Sequence, residues 1–263
     1  MISENIIQIL SQNVNTFEYK FPNWKQHCDD ILILKKTMRL TVLSDLLIVF
    51  LSKQSPSQSS YDIISAKPNE RMSKMVKYLV ISDSHYENEI MDNIVDYWNG
   101  KVDYMIHCGD SSLECDNPHL EPFDVVVKGN HDYDNFPKHV ILNQIFITHG
   151  HYYDIYHGYR QLIDQCHLNH CFICLHGHTH VATYNIIDGI HFINPGSTMI
   201  NRGEYGYGTY VIMSVDGNHV SIDYHHHITH EIVTEEVLTD GIRMMEEINN
   251  LMKSIDERMS RRY

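Results

Sequence analysis

Seven side chains with lone pairs suited to metal ions recur in one kind of setting: Asp83, His85, Asp110, Asn130, His149, His178 and His180. Each follows an apolar run of strand length, usually beside glycine, in KYLVISDSH, VDYMIHCGD, DVVVKGNHD, QIFITHGH and CFICLHGHTH. They offer carboxylate oxygen, amide oxygen and imidazole nitrogen without thiolate, which suits manganese, iron, zinc, cobalt or nickel better than calcium or magnesium. Seven donors are too many for one such ion. Two ions about 3.5–4 Å apart, bridged by one carboxylate, would use them, and such a pair supplies an activated water and stabilises charge on a phosphoryl group. No G-x-S-x-G elbow, H-E-x-x-H helix or G-x-x-x-x-G-K-[ST] loop offers a competing chemistry.

One Asp or His after a strand is ordinarily a cap or a turn residue; five such ends in series weaken that explanation. The cysteines are weaker candidates. Cys166, Cys171 and Cys174 could join a zinc site, but structural zinc sites normally bring two paired ligand sets and no second CxxC exists. Cys171 and Cys174 read instead as small apolar residues of a buried strand. His225, His226, His227 and His230 belong to no motif in a chain with 20 histidines.

The elements that must carry these residues follow from hydrophobic periodicity. Lys77 to Ile81 is a short apolar run typical of a strand buried on both faces. Ile90, Met91, Ile94, Val95 and Trp98 then fall at helical spacing, and Val102 to Ile106 resumes the strand pattern. Strand, helix, strand predicts a right-handed parallel unit. Further strands are predicted at Asp124 to Lys128, Gln144 to Thr148 and Cys171 to Leu175, with a helix carrying Tyr159, Leu162, Ile163 and Cys166 on one face. His191 to Ile193 leads into Asn194 to Ser197, NPGS, read as a turn. Thr209 to Ser214 and His219 to His225 predict an antiparallel hairpin around Asp216-Gly217-Asn218. In open α/β sheets the functional crevice lies at the carboxyl ends of strands, where these residues sit.

The chain has 263 residues, 34 acidic against 20 basic, for a net charge of −14. That balance argues against a broad basic face for nucleic acid. Residues 1–74 hold nine basic and seven acidic residues, a net of +2, which leaves −16 for the remainder. The shift follows a Ser-, Gln- and Pro-containing linker, so residues 1–74 are expected to be an N-terminal extension without chemistry, disordered or the product of a start upstream of Met72 and Met75. Its apolar run, Leu40 to Leu51, is shorter than the ~20 residues of a spanning helix, so no membrane association is expected. Six cysteines in no regular framework, with no secretory signal apparent, point to the cytoplasm.

The ordered blocks resemble the calcineurin-like metallophosphoesterases: D-x-H at Asp83/His85, G-D at Gly109/Asp110, G-N-H-[DE] at Gly129 to Asp132, H-G-H at His149 to His151 and G-H-T-H at Gly177 to His180. Their compact spacing and the NPGS turn are similar to the small microbial phosphodiesterase branch, over roughly residues 75–228. The resemblance implies an α/β fold, a two-sheet sandwich flanked by helices. It implies that Asp83, His85 and His180 hold a first metal, that Asn130, His149 and His178 hold a second, and that Asp110 bridges them. The ions would be two divalent transition metals, manganese first, with nickel, cobalt, zinc or iron as alternatives. His131 is similar to the family's histidine that stabilises the transition state or protonates the leaving oxygen, with water activated between the ions as nucleophile. His151, His176 and Asp132 would orient the ligands, and Arg202 could approach a substrate phosphate.

No D-R-G continuation follows Asp110, and no metal motif carries an arginine clamp for a dianion. A small phosphodiester is therefore the expected substrate. The alternatives are a non-catalytic protein-interaction scaffold of the same fold, or a nuclease, which the acidic balance disfavours. Residues 229–263 are expected to form a C-terminal amphipathic helix through Ile242, Met245, Ile248, Met252, Ile255 and Met259. It would pack on its own domain first and serve as a contact for a homo-oligomer second.

Overall fold

The computed structural model describes residues 75–260; the N-terminal extension with its Leu40 to Leu51 run, and residues 261–263, lie outside them. Two five-stranded sheets pack face to face with helices outside, the two-sheet sandwich that the resemblance implies. The first sheet has the order β10-β9-β1-β2-β3, from β1 (Val76–Ile81), β2 (Tyr104–His107), β3 (Val125–Val126), β9 (Thr209–Asp216) and β10 (His219–His226). The second has the order β4-β5-β6-β8-β7, from β4 (His139–Leu142), β5 (Ile145–Thr148), β6 (Ile173–Leu175), β7 (Ala182–Ile187) and β8 (Ile190–Pro195).

The two-residue period of β1 explains why it is apolar throughout. Tyr78 and Val80 point into the layer between the sheets, among Ile106, Ile147, Leu175 and Val211. Leu79 and Ile81 point the other way, against Met91, Ile94 and Val95 of α1 (Asn88–Trp98). Both faces are dry, so alternation with polar residues is absent. Truncation of the fully buried Leu79 to alanine costs about 2–5 kcal/mol. On the far side of the second sheet, Phe146, Cys174 and Phe192 meet Leu162 and Cys166 of α2 (Arg160–Leu168).

β1 and β2 run parallel with Ile81 opposite His107, and β5 and β6 run parallel with Ile147 opposite Leu175. These registers decide which strand ends adjoin. β9 and β10 form the antiparallel hairpin expected from the sequence. α3 (Thr234–Ser260) follows and lies against β7, β10 and the turn at residues 155–157, burying Val237 and Gly241, so it packs on its own domain. Among the described residues, no helix is long and apolar enough to cross a membrane.

Two strands escaped the periodicity argument. β4 alternates exposed and half-buried residues at a sheet edge, and β7, the other edge, mixes buried and exposed positions. The NPGS stretch is only partly a turn: Asn194 and Pro195 still belong to β8, paired with Thr183 and Ala182.

Candidate metal centre

All seven candidate ligands lie past the carboxyl ends of parallel strands, β1, β2 and β3 in one sheet and β5 and β6 in the other. Backbone hydrogen bonds continue the strand registers into the turns. Asp83 N–H donates to Gly109 O at 2.9 Å and His85 N–H to Asp110 O at 3.1 Å, which sets the first two ligand turns side by side. Gly177 N–H donates to His149 O at 3.0 Å and does the same for the second sheet. His178 N–H crosses between the sheets to Asp83 Oδ2 at 3.2 Å.

These turns are tight enough to force uncommon backbone. Asp83, His85, Asp110, His178 and His180 all adopt positive φ, between 45° and 70°. Each such residue costs of the order of 1–3 kcal/mol and persists only where the surroundings impose it. Two glycines permit the close approach. A Cβ on Gly129 would stand 2.0 Å from Asp110 Oδ1, and one on Gly177 would stand 2.0 Å from Ser82 Oγ.

One compact group of donors is Asp83, His85, Asp110 and His180, whose ligand atoms all lie within 4.8 Å of one another. His149 approaches Asp110 from another side, with Nε2 3.2 Å from Asp110 Oδ2 and 3.2 Å from Asn130 Oδ1. The His178 ring stands 5.1 Å from that of His149, centre to centre. Asp110, Asn130, His85, His178 and His180 also line one cavity, with His149 and Asp83 in contact with them.

The hydrogen-bond chemistry tests whether these residues fit metal ions. His149 Nδ1 lies 2.8 Å from Cys108 O and His180 Nδ1 lies 2.7 Å from Ile200 O. A carbonyl only accepts, so Nδ1 of each ring carries a proton and Nε2 is the nitrogen turned inward. His180 Nε2 then faces Asp83 Oδ1 at 3.1 Å, and His149 Nε2 faces Asp110 Oδ2 at 3.2 Å. Both oxygens are sealed from solvent and accept no hydrogen bond of proper geometry. At that range a cation must lie between each Nε2 and the carboxylate oxygen it faces, a proton on the ring or a metal ion in its place. The donor set therefore fits divalent metal ions, and the carbonyl contacts are the usual means of orienting ligand imidazoles.

The charges respond to the same proximity. Burial works against ionisation of Asp83, but His149 and His180 outweigh it and hold its carboxyl far below the usual range. Burial would also lower His149, yet Asp83 and Asp110 push it up to about 9. His180 is raised likewise by Asp83. His178 and His151 are pushed down to about 4, by burial first and by His149 second.

Among the supporting residues, Asp132 has the clearest role. Its buried carboxylate accepts from the N–H groups of Asp110 (2.8 Å), Gly129 (2.7 Å) and Ser112 (2.7 Å) and from the Ser111 hydroxyl (3.1 Å), knitting two ligand turns together. His176 is buried between Asn194 and Tyr159 without reaching the centre of the donor set, and Asn194 donates to Gly177 O and Thr179 Oγ1 to brace the turn that carries His178. His151 packs on His149 with its ring centre 5.3 Å away.

A cavity of about 360 Å³ opens over the donors, and His85, Asp110, Asn130, His131, His178 and His180 line one side. His131 is exposed there, its backbone N–H donating to Asp110 Oδ1 at 2.6 Å and its ring 5.3 Å from that of His85. Tyr156, Met199, Ile200 and Arg202 complete the wall. The sequence singled out Arg202 among these but not the others, which sit in loops without motif or periodicity.

Comparison with known proteins agrees with this geometry. The calcineurin-like phosphoesterase superfamily domain matches residues 76–218. A Bacillus subtilis protein named "Probable metallophosphoesterase YsnB" is 35% identical over 164 residues, 59% of this chain and 93% of its own. A "Probable metallophosphoesterase" of Mycoplasma pneumoniae is 32% identical, covering 56% of this chain and 94% of its own. The crystal structure of a conserved Streptococcus pneumoniae protein, described as a predicted phosphoesterase, superposes with a TM-score of 0.57 at 33% identity, covering 61% of this chain and 94% of that one. With a family domain spanning β1 to β9, the turns and every candidate ligand, this chain belongs to the calcineurin-like phosphoesterase superfamily.

Proposed function

We propose that the protein is a dinuclear metal-dependent phosphodiesterase acting on small substrates. The observation that carries this reading is the pair of sealed carboxylate oxygens without a geometrically proper hydrogen bond, Asp83 Oδ1 and Asp110 Oδ2, each facing an imidazole Nε2. Asp83, His85 and His180 would hold one ion, Asn130, His149 and His178 the other, and Asp110 would serve both. Two such ions supply an activated water and take up charge on the phosphoryl oxygens. Manganese is the first choice, since the donors mix imidazole with carboxylate and amide oxygen.

His131 is the residue assigned to the leaving group. It is exposed on the cavity wall beside His85, where it can give a proton to the departing oxygen, and its backbone bond to Asp110 ties its position to the bridge. A diester is favoured because Arg202 alone among the described lining residues has a fixed positive charge, and the Tyr156 hydroxyl already accepts a bond from its Nη1 at 2.9 Å. The cavity's size and the acidic net charge support a small molecule over nucleic acid. Free thiols at Cys108, Cys166, Cys171 and Cys174 support a reducing cytoplasm. Leu251, Ile255 and Met259, exposed on the distal part of α3, support self-association through that helix. Domain limits of 75–228 for the catalytic body and 229–263 for the helical extension complete the proposal.

The test is to load the purified protein with manganese, count the bound ions, and compare bis(p-nitrophenyl) phosphate with p-nitrophenyl phosphate. About two ions per chain and faster diester hydrolysis are expected. Less than one ion together with no diester hydrolysis would sink the reading, and a large monoester preference would defeat the choice of substrate.

A further inference from the structure

The part of the cavity lining beside His178 and His180 combines two features. Met199 and Ile200 are 42% and 47% exposed although both line the cavity. Scattered exposed apolar side chains are ordinary, but here the backbone carrying them is fastened down at several points. The N–H groups of Met199 and Ile200 both donate to Ser197 Oγ, at 3.1 and 2.8 Å, and that hydroxyl donates to Asp83 O at 2.8 Å. Ile200 O accepts from the ligand imidazole of His180, and Arg202 N–H donates to His180 O at 3.2 Å. These side chains are therefore held at the cavity by the same bonds that hold the donor turns.

The second feature is a fixed cation beside an aromatic ring. Arg202 Nη1 donates to the Tyr156 hydroxyl, which itself reaches His178 O at 3.3 Å, and the guanidinium carbon lies 5.9 Å from the centre of the Tyr156 ring. A guanidinium restrained in this way presents a flat face as well as charge, and flat faces stack on aromatic groups. An aliphatic substituent would gain from Met199 and Ile200 alone; a flat aromatic one would gain from all four residues. The cavity of about 360 Å³ is of a size for one such group beside a phosphoryl centre.

We propose that Tyr156, Met199, Ile200 and Arg202 form a recognition wall for a flat aromatic substituent, which makes aryl- or nucleoside-type phosphodiesters the substrate class. The inference deepens the phosphodiesterase reading and rests on it for the nature of the reacting group. Binding is the test, since it is read independently of turnover. Phenylphosphonate and methylphosphonate share one head group and differ only in the substituent, and each is titrated calorimetrically into the manganese-loaded full chain. The phenyl compound is expected to bind about tenfold more tightly. Ile200→Ala and Arg202→Ala, both at exposed positions, are each expected to cut that preference by roughly threefold or more.

Equal affinities in the unaltered protein, undetectable phenylphosphonate binding at millimolar concentration, or a preference that survives both substitutions would overturn the wall. A preserved aromatic preference without diester hydrolysis would instead remove the reaction and leave the wall standing. Hydrolysis with no aromatic preference would do the reverse.

Discussion

The two sheets contribute to the centre in opposite chemical terms. The turns after β1, β2 and β3 bring all the oxygen donors, Asp83, Asp110 and Asn130, with His85 beside them; the turns after β5 and β6 bring only imidazoles, His149, His178 and His180. Their supports differ in the same way. The first sheet's turns are gathered by a carboxylate, Asp132, that accepts N–H and O–H groups. His149 and His180 are aimed by donating Nδ1–H to carbonyls, and the carbonyl that aims His149, that of Cys108, follows β2 in the opposite sheet. One sheet supplies the negative charge and the other most of the directed imidazole nitrogens, so the candidate cation site exists only where both meet.

The largest effect should follow from weakening the charge-bearing side. Asp110→Asn keeps the size of the proposed bridge but removes its charge, and both ions should be lost, with kcat/KM falling by ~10³-fold or more. Metal analysis that shows one ion bound as before would contradict the bridge. Next in size is His131→Ala, which leaves every proposed ligand in place. Bound metal should be retained while turnover falls by about 10²–10³-fold, and an unchanged rate would end the assignment of His131.

Asp132→Asn separates support from ligation. It replaces a buried acceptor of four hydrogen bonds by an amide that must turn a donor towards some of them. A loss of about 2–4 kcal/mol in unfolding free energy is expected, measured by denaturant titration of the metal-free protein. Stability within 0.5 kcal/mol, roughly the range of ordinary surface changes, would show that the turns hold without it. The smallest effect concerns the extension: a chain beginning at Met75 should keep manganese binding and diester turnover within about twofold, because every candidate ligand and each of its partners among the described residues lie beyond that point. An insoluble or metal-free product would show that residues 1–74 complete the body.

Much of the centre was legible because its signals are local. A strand buried on both faces must be apolar along its length, so KYLVI and CFICL announce themselves, and the first polar residues after them mark the strand ends. The donors stand within a few residues of those ends, and their types restrict the metal chemistry on their own. β4 and β7 were not legible because each is a sheet edge with mixed burial, which leaves neither an apolar run nor a strict alternation. Tyr156 was missed for a related reason. It lies in a short 3-10 turn between β5 and α2, and it meets Arg202 only through the fold, 46 residues apart.

By itself, then, the sequence determined the identity of the candidate donors, their order, and their delivery from the ends of five strands, since apolar runs and ligand types are properties of short segments. Tertiary structure decided which donors share a centre. Parallel registers place Asp83 beside Gly109 and Gly177 beside His149, and glycine at 129 and 177 allows the turns to close to contact. It also decided which nitrogen each ring presents, because Cys108 O and Ile200 O reach His149 and His180 from 41 and 20 residues away in the chain. A lone pair has chemistry from its residue type but direction only from its neighbours in space.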